Sequence, residues 1–154
     1  MENVQCATFV RHSSAMTFQD LPKDIAQRPL TNEKLVADLL DLLIGEQDRH
    51  DGCLLIAMCD SESRLVQPIV ITDMPSRPDV EVIESAIAMV ASSLSENDPD
   101  GAILVALGRR YGLSITADDH AWVRAVERGC DQRVRLLGVH VVTSEGSRPV
   151  PALT

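Results

Sequence analysis

Two uninterrupted apolar runs most constrain how this chain can fold. One is CLLIAMC at residues 53–59, and the other is AILVAL at residues 102–107. Runs of this length without polar alternation are typical of β-strands that are buried on both faces. A sheet built on such strands must be covered on each side, and helices are the usual cover in α/β proteins. The runs therefore predict an α/β fold in which a mixed central sheet is flanked by helices.

Helix signals separate the apolar runs. Thr31 is placed to cap a first helix that ends before Gly45. Asp79 is placed to cap a second helix, and Thr116 a third helix that runs to about Gln132. Each of these segments repeats its apolar residues at helical spacing, which predicts one face that packs on the sheet.

Two further strands complete the predicted sheet. Residues 65–72, LVQPIVIT, follow the turn sequence DSES and should form an antiparallel hairpin with residues 53–59. Pro68 lacks a backbone donor, so we expect this strand at an edge of the sheet or at a bulge. Residues 134–143 are expected to form a strand, and the sequence SEGSR is expected to form the turn that leads to a last short strand. We expect the run at residues 102–107 to lie near the centre of the sheet.

The chain of 154 residues is interpreted as one domain preceded by an arm. Residues 1–30 show no sustained periodicity and are expected to form an irregular N-terminal arm, with one short strand near Gln5–Val10. Residues 31–154 are expected to form the single domain. We find no repeat or low-complexity tract that would indicate a second domain.

The charge balance disfavours two classes of partner. The chain carries 14 basic and 23 acidic residues, a net charge of −9, and only 3% of its residues are aromatic. An acidic surface repels phosphate backbones and anionic membranes, and few aromatic rings are present to stack on bases. We therefore expect neither nucleic acid nor a membrane as a partner.

The four cysteines show no metal-binding or disulfide pattern. None of them forms a CxxC pair, and Cys53 and Cys59 lie within an apolar run, where they are interpreted as small core residues. Neither a signal peptide nor an apolar run long enough to span a membrane is evident. These features favour a reducing, cytoplasmic compartment.

The loop GRRYGLSIT after the second apolar run allows three interpretations. Arg109 and Arg110 can simply lie in water between two flexible glycines. They can also bind a phosphate or carboxylate beside the N-terminus of the next helix. Finally, Arg109, Arg110 and Tyr111 are residue types that often anchor protein interfaces.

Polar residues at the start of the third helix have structural explanations. Thr116 and Asp119 have the spacing of a capping box, which by itself accounts for Asp119. A triad of Ser114, His120 and Asp118 can be drawn, but side chains this close on a helix start rarely converge. His140 lies within an apolar strand and is interpreted as a hydrogen-bonded sheet residue rather than as a ligand.

Residues from roughly 31 to 150 resemble the JAB/MPN (JAMM) domain superfamily, and in particular its bacterial RadC-like branch. In that branch a strand leads into the motif HxHPSGDPxPSxxD, with which ILVALGRRYGLSITADD aligns without gaps. The helix and strand that follow correspond to AWVRAVERGCDQRVRLLGVHVVTSEGSRPV, and LLIAMCDSESRLVQPIVI resembles the family's first hairpin. The resemblance implies a cytidine-deaminase-like α/β fold.

The same resemblance implies a zinc site whose ligands are missing from this chain. In the family, two histidines and an aspartate bind zinc, water takes the fourth position, and an upstream glutamate moves its proton. The ligand positions fall on Ala106, Gly108 and Asp119, and the glutamate position falls near Gly52, with Glu46 as an alternative. Alanine and glycine side chains cannot bind a metal, so we expect neither a zinc site nor metallopeptidase activity.

Two hypotheses about function follow. The first is a non-catalytic, metal-free RadC-like domain that serves as a protein-binding or scaffold module, with a protein partner or a second copy of itself and without a cofactor. The second is an enzyme or anion-binding protein that uses the Arg109–Arg110 loop, with Asp118, Asp119 or His120 as acid or base.

Overall fold

Both apolar runs form inner strands of a five-stranded mixed sheet, as predicted. The computed structural model describes residues 27–74, 79–110 and 112–151. Their helices and strands are α1 (Glu33–Leu43), α2 (Glu46–Asp51), β1 (Cys53–Cys59), β2 (Leu65–Thr72), α3 (Val80–Asn97), β3 (Ala102–Gly108), α4 (Ala117–Cys130), β4 (Arg135–Thr143) and β5 (Gly146–Pro149).

The strand order is β2-β1-β3-β4-β5. Strand β1 is antiparallel to both β2 and β3, β3 is parallel to β4, and β4 is antiparallel to β5. The central position of β3 and the edge position of β2 confirm the expectations drawn from the AILVAL run and from Pro68. Parallel pairing of β3 with β4 requires a crossover, which α4 provides.

The sheet separates two apolar clusters. Because side chains alternate along a strand, Leu55 and Leu104 point toward α1, whereas Ile56 and Ile103 point toward α3 and α4. All four are at most 1% exposed. Each such side chain contributes about 1.5–3 kcal/mol when it leaves water, so burial on both faces is the main stabilising term for the strands.

The structure corrects three local predictions. The first helix is capped by Asn32 rather than Thr31, since the Asn32 side chain accepts hydrogen bonds from the backbone of Lys34 and Leu35 at 2.9 and 3.1 Å. The short helix α2 was missed because EQDRHD contains no apolar residue and therefore no periodicity. Val82 belongs to the apolar repeat of the second predicted helix and was therefore expected on the face that packs on the sheet, but it is 54% exposed.

Only the end of the predicted arm is described. Leu30 is 2% exposed and its N–H donates to the carbonyl of Ser63 at 2.8 Å, which ties the chain to the β1–β2 turn. The strand predicted near Gln5–Val10 lies outside the described residues. Within the described ranges, no helix combines the length and apolarity needed to cross a membrane.

Candidate functional site

The loop after β3 is organised around a buried arginine. Arg109 is 2% exposed, and its backbone N–H donates to Val142 at 3.0 Å. Its guanidinium Nη1 donates to the carboxylate of Asp119. Nε and Nη2 donate to the carbonyl of Gly112 at 3.2 and 2.9 Å, and Nη2 also donates to the carbonyl of Ser114 at 3.0 Å. One side chain thus fixes the loop against the start of α4.

The carboxylate of Asp119 is enclosed by donors. It is 1% exposed, and besides Arg109 it accepts hydrogen bonds from the backbone N–H of Thr116 at 2.8 Å and from Trp122 Nε1 at 3.2 Å. Thr116 Oγ1 accepts in turn from the Asp119 backbone at 3.2 Å, so the predicted capping box is confirmed. Because its oxygens are occupied by these donors, Asp119 is poorly suited to act as a base.

The two arginines of the loop differ in their surroundings. The expectation that both lie in water is wrong for Arg109, because the helix start supplies a buried carboxylate and the loop turns its carbonyls inward. Arg110 is exposed, as expected. Tyr111 lies outside the described residues, so its predicted role as an anchor stays a prediction.

A second buried arginine, missed in the sequence, lies beside the first. Arg49 on α2 is 7% exposed and donates to the carbonyls of Ile44 and Thr143 at 3.0 and 2.9 Å, and to the carboxylate of Asp41 at 2.9 Å. It therefore joins the end of α1 to the end of β4. No spacing rule identifies it, because its main partner across the sheet is 94 residues away in the chain.

The two arginines contribute to a small polar pocket at this end of the sheet. Its volume is about 140 Å³, and its lining residues are Glu46, Arg49, His50, Arg109, Arg110 and Ser144. Glu46, the alternative position for the family's glutamate, is therefore brought to the same pocket as the Arg109–Arg110 loop. The guanidinium groups of Arg49 and Arg109 are already hydrogen-bonded to protein, which leaves the exposed Arg110 as the cation best placed to meet a ligand.

The positions that correspond to the family's zinc ligands do not fit a zinc site. Ala106 is fully buried in the cluster under α1. A Cβ atom on Gly108 would lie 2.7 Å from Cys53 Sγ, so an imidazole there would collide with the core. Gly52 has φ +94°, and its Cβ would lie 2.1 Å from the Met74 carbonyl oxygen, which excludes a glutamate at that position. Across the described residues, no three His, Cys, Asp or Glu side chains converge to hold a metal ion.

The other candidate catalytic residues do not form a relay. Among residues 27–74, 79–110 and 112–151, no group forms a hydrogen bond with the buried Nδ1 of His120, so neither Ser114 nor Asp118 is bound to that nitrogen. Ser114 and Asp118 are both exposed. The triad that can be drawn in the sequence is therefore not assembled in the described structure.

The cysteines of the described chain are buried thiols. Cys53, Cys59 and Cys130 are all buried, and the full burial of Cys53 and Cys59 confirms them as core residues. Burial raises the pKa of Cys59 to about 12 and that of Cys130 to about 11. Both are therefore neutral near pH 7 and are poor nucleophiles.

His140 is a sheet residue, as interpreted from the sequence, but the hydrogen bond expected at its Nδ1 is not formed among the described residues. It lies on β4 opposite Ala106 of β3, is 8% exposed, and its Nδ1 has no hydrogen-bond partner among the described residues. Burial lowers the pKa of His140 below 6.5, while the carboxylate of Glu33 acts in the opposite direction. The imidazole is thus held neutral inside the protein.

Comparisons of this chain with protein-family models, with curated proteins and with solved structures found no match. The chemistry open to this site follows from its geometry. It offers a neutralised carboxylate, an exposed cation and a small polar pocket.

The Arg109–Asp119 ion pair can be tested by a double-mutant cycle. Arg109→Met leaves a buried carboxylate without its cation, so we expect the free energy of unfolding in urea to fall by about 3–5 kcal/mol. Adding Asp119→Asn removes the uncompensated charge, and the double variant should lose clearly less than the sum of the two single losses. The matched control is Arg128→Met, which removes an exposed ion pair to Glu84 of 2.9 Å and should cost less than about 1 kcal/mol. Equal losses for Arg109→Met and Arg128→Met would contradict a structural role for Arg109.

The buried His140 predicts a loss of stability in mild acid. Its folded pKa is lower than its unfolded pKa, so the unfolded chain binds a proton first as the pH falls below 6.5. The contribution of His140 to the free energy of unfolding is complete above pH 6.5. It is lost as the pH falls from 6.5 through the pKa of His140 in the folded state, by at most about 1.4 kcal/mol per pH unit. Urea unfolding at pH 7 and pH 5.5 should show a smaller loss for His140→Gln than for the unmodified chain. An equal loss for His140→Gln and for the unmodified chain would refute the assignment.

Proposed function

We propose that this chain is a JAB/MPN-like domain of the RadC-like branch that binds a protein partner and does not carry out zinc chemistry. The order of its elements supports the proposal. The β1–β2 hairpin carries Asp60 at its turn, β3 leads through the loop into α4, and β4 ends in a turn that is followed by Gly146 at the start of β5. These elements lie at the segments that carry the resemblance.

One observation carries the non-catalytic part of the proposal. Asp119, at the family's aspartate position, is held by the Arg109 cation instead of being open to a metal. A guanidinium can neutralise a buried carboxylate, but it cannot polarise a bound water as a metal ion does. Arg109 therefore supplies the positive charge that compensates the buried carboxylate of Asp119, without supplying the chemistry of a metal ion.

The binding part of the proposal follows from the resemblance, which implies that metal-free members serve as assembly partners. A second copy of the chain or another protein would be bound, in a reducing cytoplasm that suits the buried thiols of Cys53, Cys59 and Cys130.

A calorimetric zinc titration of the full chain tests the first part, because three protein ligands are needed for tight binding. We expect no saturable heat, and stoichiometric binding at submicromolar affinity would overturn the proposal. Sedimentation equilibrium tests self-association on the same sample. Twice the chain mass of 16.8 kDa would support a homodimer, whereas the single-chain mass at all concentrations would restrict the partner to a different protein.

A second candidate function is anion binding, and the pocket that Arg110 lines is the observation that favours it. Arg110, His50 and Ser144 present a cation, an imidazole and a hydroxyl group to a pocket of a size that suits a small anion. Arg109 is less suited to this role, because its donors already bind protein oxygens.

Inorganic phosphate and acetate are suitable probes of this pocket, because ligands that bind only the native state raise its melting temperature. If the pocket binds anions, the melting temperature should rise with probe concentration, and Arg110→Ala should abolish the rise. Arg124→Ala, at an exposed cation on α4, should leave it intact. Equal shifts in all three proteins would exclude a site at Arg110.

A further inference from the structure

A pocket on the α1 side of the sheet has both polar and apolar lining residues, and we call it the α1–β4 pocket. Its volume is about 180 Å³. The start of α1 and the residues before it form one wall, β3 and β4 form the floor, and the end of β5 lies at one side. The lining includes Leu30, Glu33, Leu104, Gly138, His140 and Pro149.

The imidazole of His140 is a buried polar group in this lining. His140 is 8% exposed, and its Nδ1 has no hydrogen-bond partner among the described residues. Buried polar groups in folded proteins are nearly always hydrogen-bonded, so a water or a ligand in the pocket is the natural partner for this nitrogen. Because burial lowers the pKa of His140 below 6.5, the ring is neutral near pH 7 and one of its nitrogens can accept a hydrogen bond.

A β-bulge in β4 shapes the space beside this ring. The pairing of β4 with β3 shifts by one residue before Gly138, which leaves Leu137 as the extra residue. A Cβ atom on Gly138 would lie 3.2 Å from His140 Cε1, 3.9 Å from His140 Nδ1 and 3.8 Å from Leu104 Cδ1. Bulges often re-aim residues beside functional sites. Because Gly138 has no side chain, the Cε1–Nδ1 edge of the imidazole faces the pocket.

The charge of the lining discriminates between ligands. Glu33 is the one charged residue among the described residues of the lining, and its carboxylate is near enough to act on the pKa of His140. The N-terminus of α1 offers little to an anion, because the Asn32 side chain already accepts hydrogen bonds from the backbone of Lys34 and Leu35. The lining therefore favours a ligand that donates hydrogen bonds and carries a positive charge.

The size of the pocket limits the ligand to a small molecule. A cavity of about 150 Å³ with apolar walls is large enough to hold benzene, so a volume near 180 Å³ suits about six to eight non-hydrogen atoms. Leu30 and Leu104, which are at most 2% exposed, provide apolar surface for a hydrocarbon body.

We propose that the α1–β4 pocket binds a small organic ammonium ion of about six to eight non-hydrogen atoms. The ammonium group donates hydrogen bonds to His140 Nδ1, with the ring proton on Nε2, and to the carboxylate of Glu33. The hydrocarbon body contacts Leu30 and Leu104 and fills the space beside Gly138. The inference does not depend on the proposed function.

A metal ion or an anion fits this pocket less well. His140 and Glu33 supply only two ligands, and no group of three His, Cys, Asp or Glu side chains that could hold a metal ion occurs in the described part of the chain. A carboxylate or phosphate would meet the Glu33 carboxylate, and the described lining contains no arginine or lysine to bind it.

Calorimetric titration of the full chain near pH 7 tests the proposal with three probes that share one ring. The probes are cyclohexylamine, which is a cation at this pH, cyclohexanol and cyclohexanecarboxylate. We expect the cation to bind about ten times more tightly than either of the others, as a hydrogen bond with a charged group implies. No saturable binding of any probe would overturn the proposal and leave water as the partner of His140. Equal binding of the cation and the alcohol, or tighter binding of the carboxylate, would also overturn it.

Variants locate the site. His140→Leu removes the acceptor and Gly138→Ala fills the space beside it, so each should weaken binding of the cation by about tenfold. The matched control Gly112→Ala adds a Cβ that meets no described atom within 4 Å and should leave the affinity unchanged. Glu33→Gln should weaken binding by about two- to fivefold, because this carboxylate is exposed to solvent, whereas Glu96→Gln at an exposed position of α3 should have no effect.

The imidazole itself provides a direct readout. In proton NMR spectra of the unmodified chain, saturating cyclohexylamine should shift the Hε1 resonance of His140, which is identified by its absence from the spectrum of His140→Leu. An unmoved resonance, or an unchanged affinity in His140→Leu, would overturn the proposal even if Gly138→Ala does not fold. An unchanged affinity in Glu33→Gln would refute the assignment of the charge to Glu33.

Discussion

The buried ion pair between Arg109 and Asp119 is the interaction on which this end of the molecule depends. Both side chains are at most 2% exposed, so neither charge is tolerable without the other. The pair joins the end of the central strand to the first turn of α4, and Trp122 and Thr116 complete the hydrogen bonds of the carboxylate. A fully satisfied polar network of this kind fixes one arrangement of strand, loop and helix.

This buried ion pair occupies a position that is also suited to catalytic groups. A strand that ends beside a helix N-terminus collects backbone donors and side chains in one place, which many enzymes exploit. In this chain the polar groups at that position form hydrogen bonds with one another, and Cys53 occupies the space beside Gly108. What remains accessible is a small pocket beside Arg110, at the rim of the packed region.

The local sequence was sufficient for most of the fold because its signals are local. The apolar runs, the Pro68 at the edge strand and the Thr116–Asp119 capping box each depend on neighbours within a few residues, and the structure confirms all of them. The helix Glu46–Asp51 was missed because its residues are all polar, and its place is held by Arg49, which binds a carbonyl on β4. Such long-range hydrogen bonds leave no periodic pattern.

The sequence by itself determined which segments are buried and in what order strands and helices follow one another, since hydrophobic periodicity and caps specify these directly. It also determined that Ala106 and Gly108 have no metal-binding atoms. Only the tertiary structure decided the environments of the polar residues. Arg109 and Arg110 are adjacent and chemically identical, yet one is buried against Asp119 and the other is exposed. The reason is physical: whether a charge can be buried depends on the partner that folding brings to it, and that partner is not specified by the residues beside it.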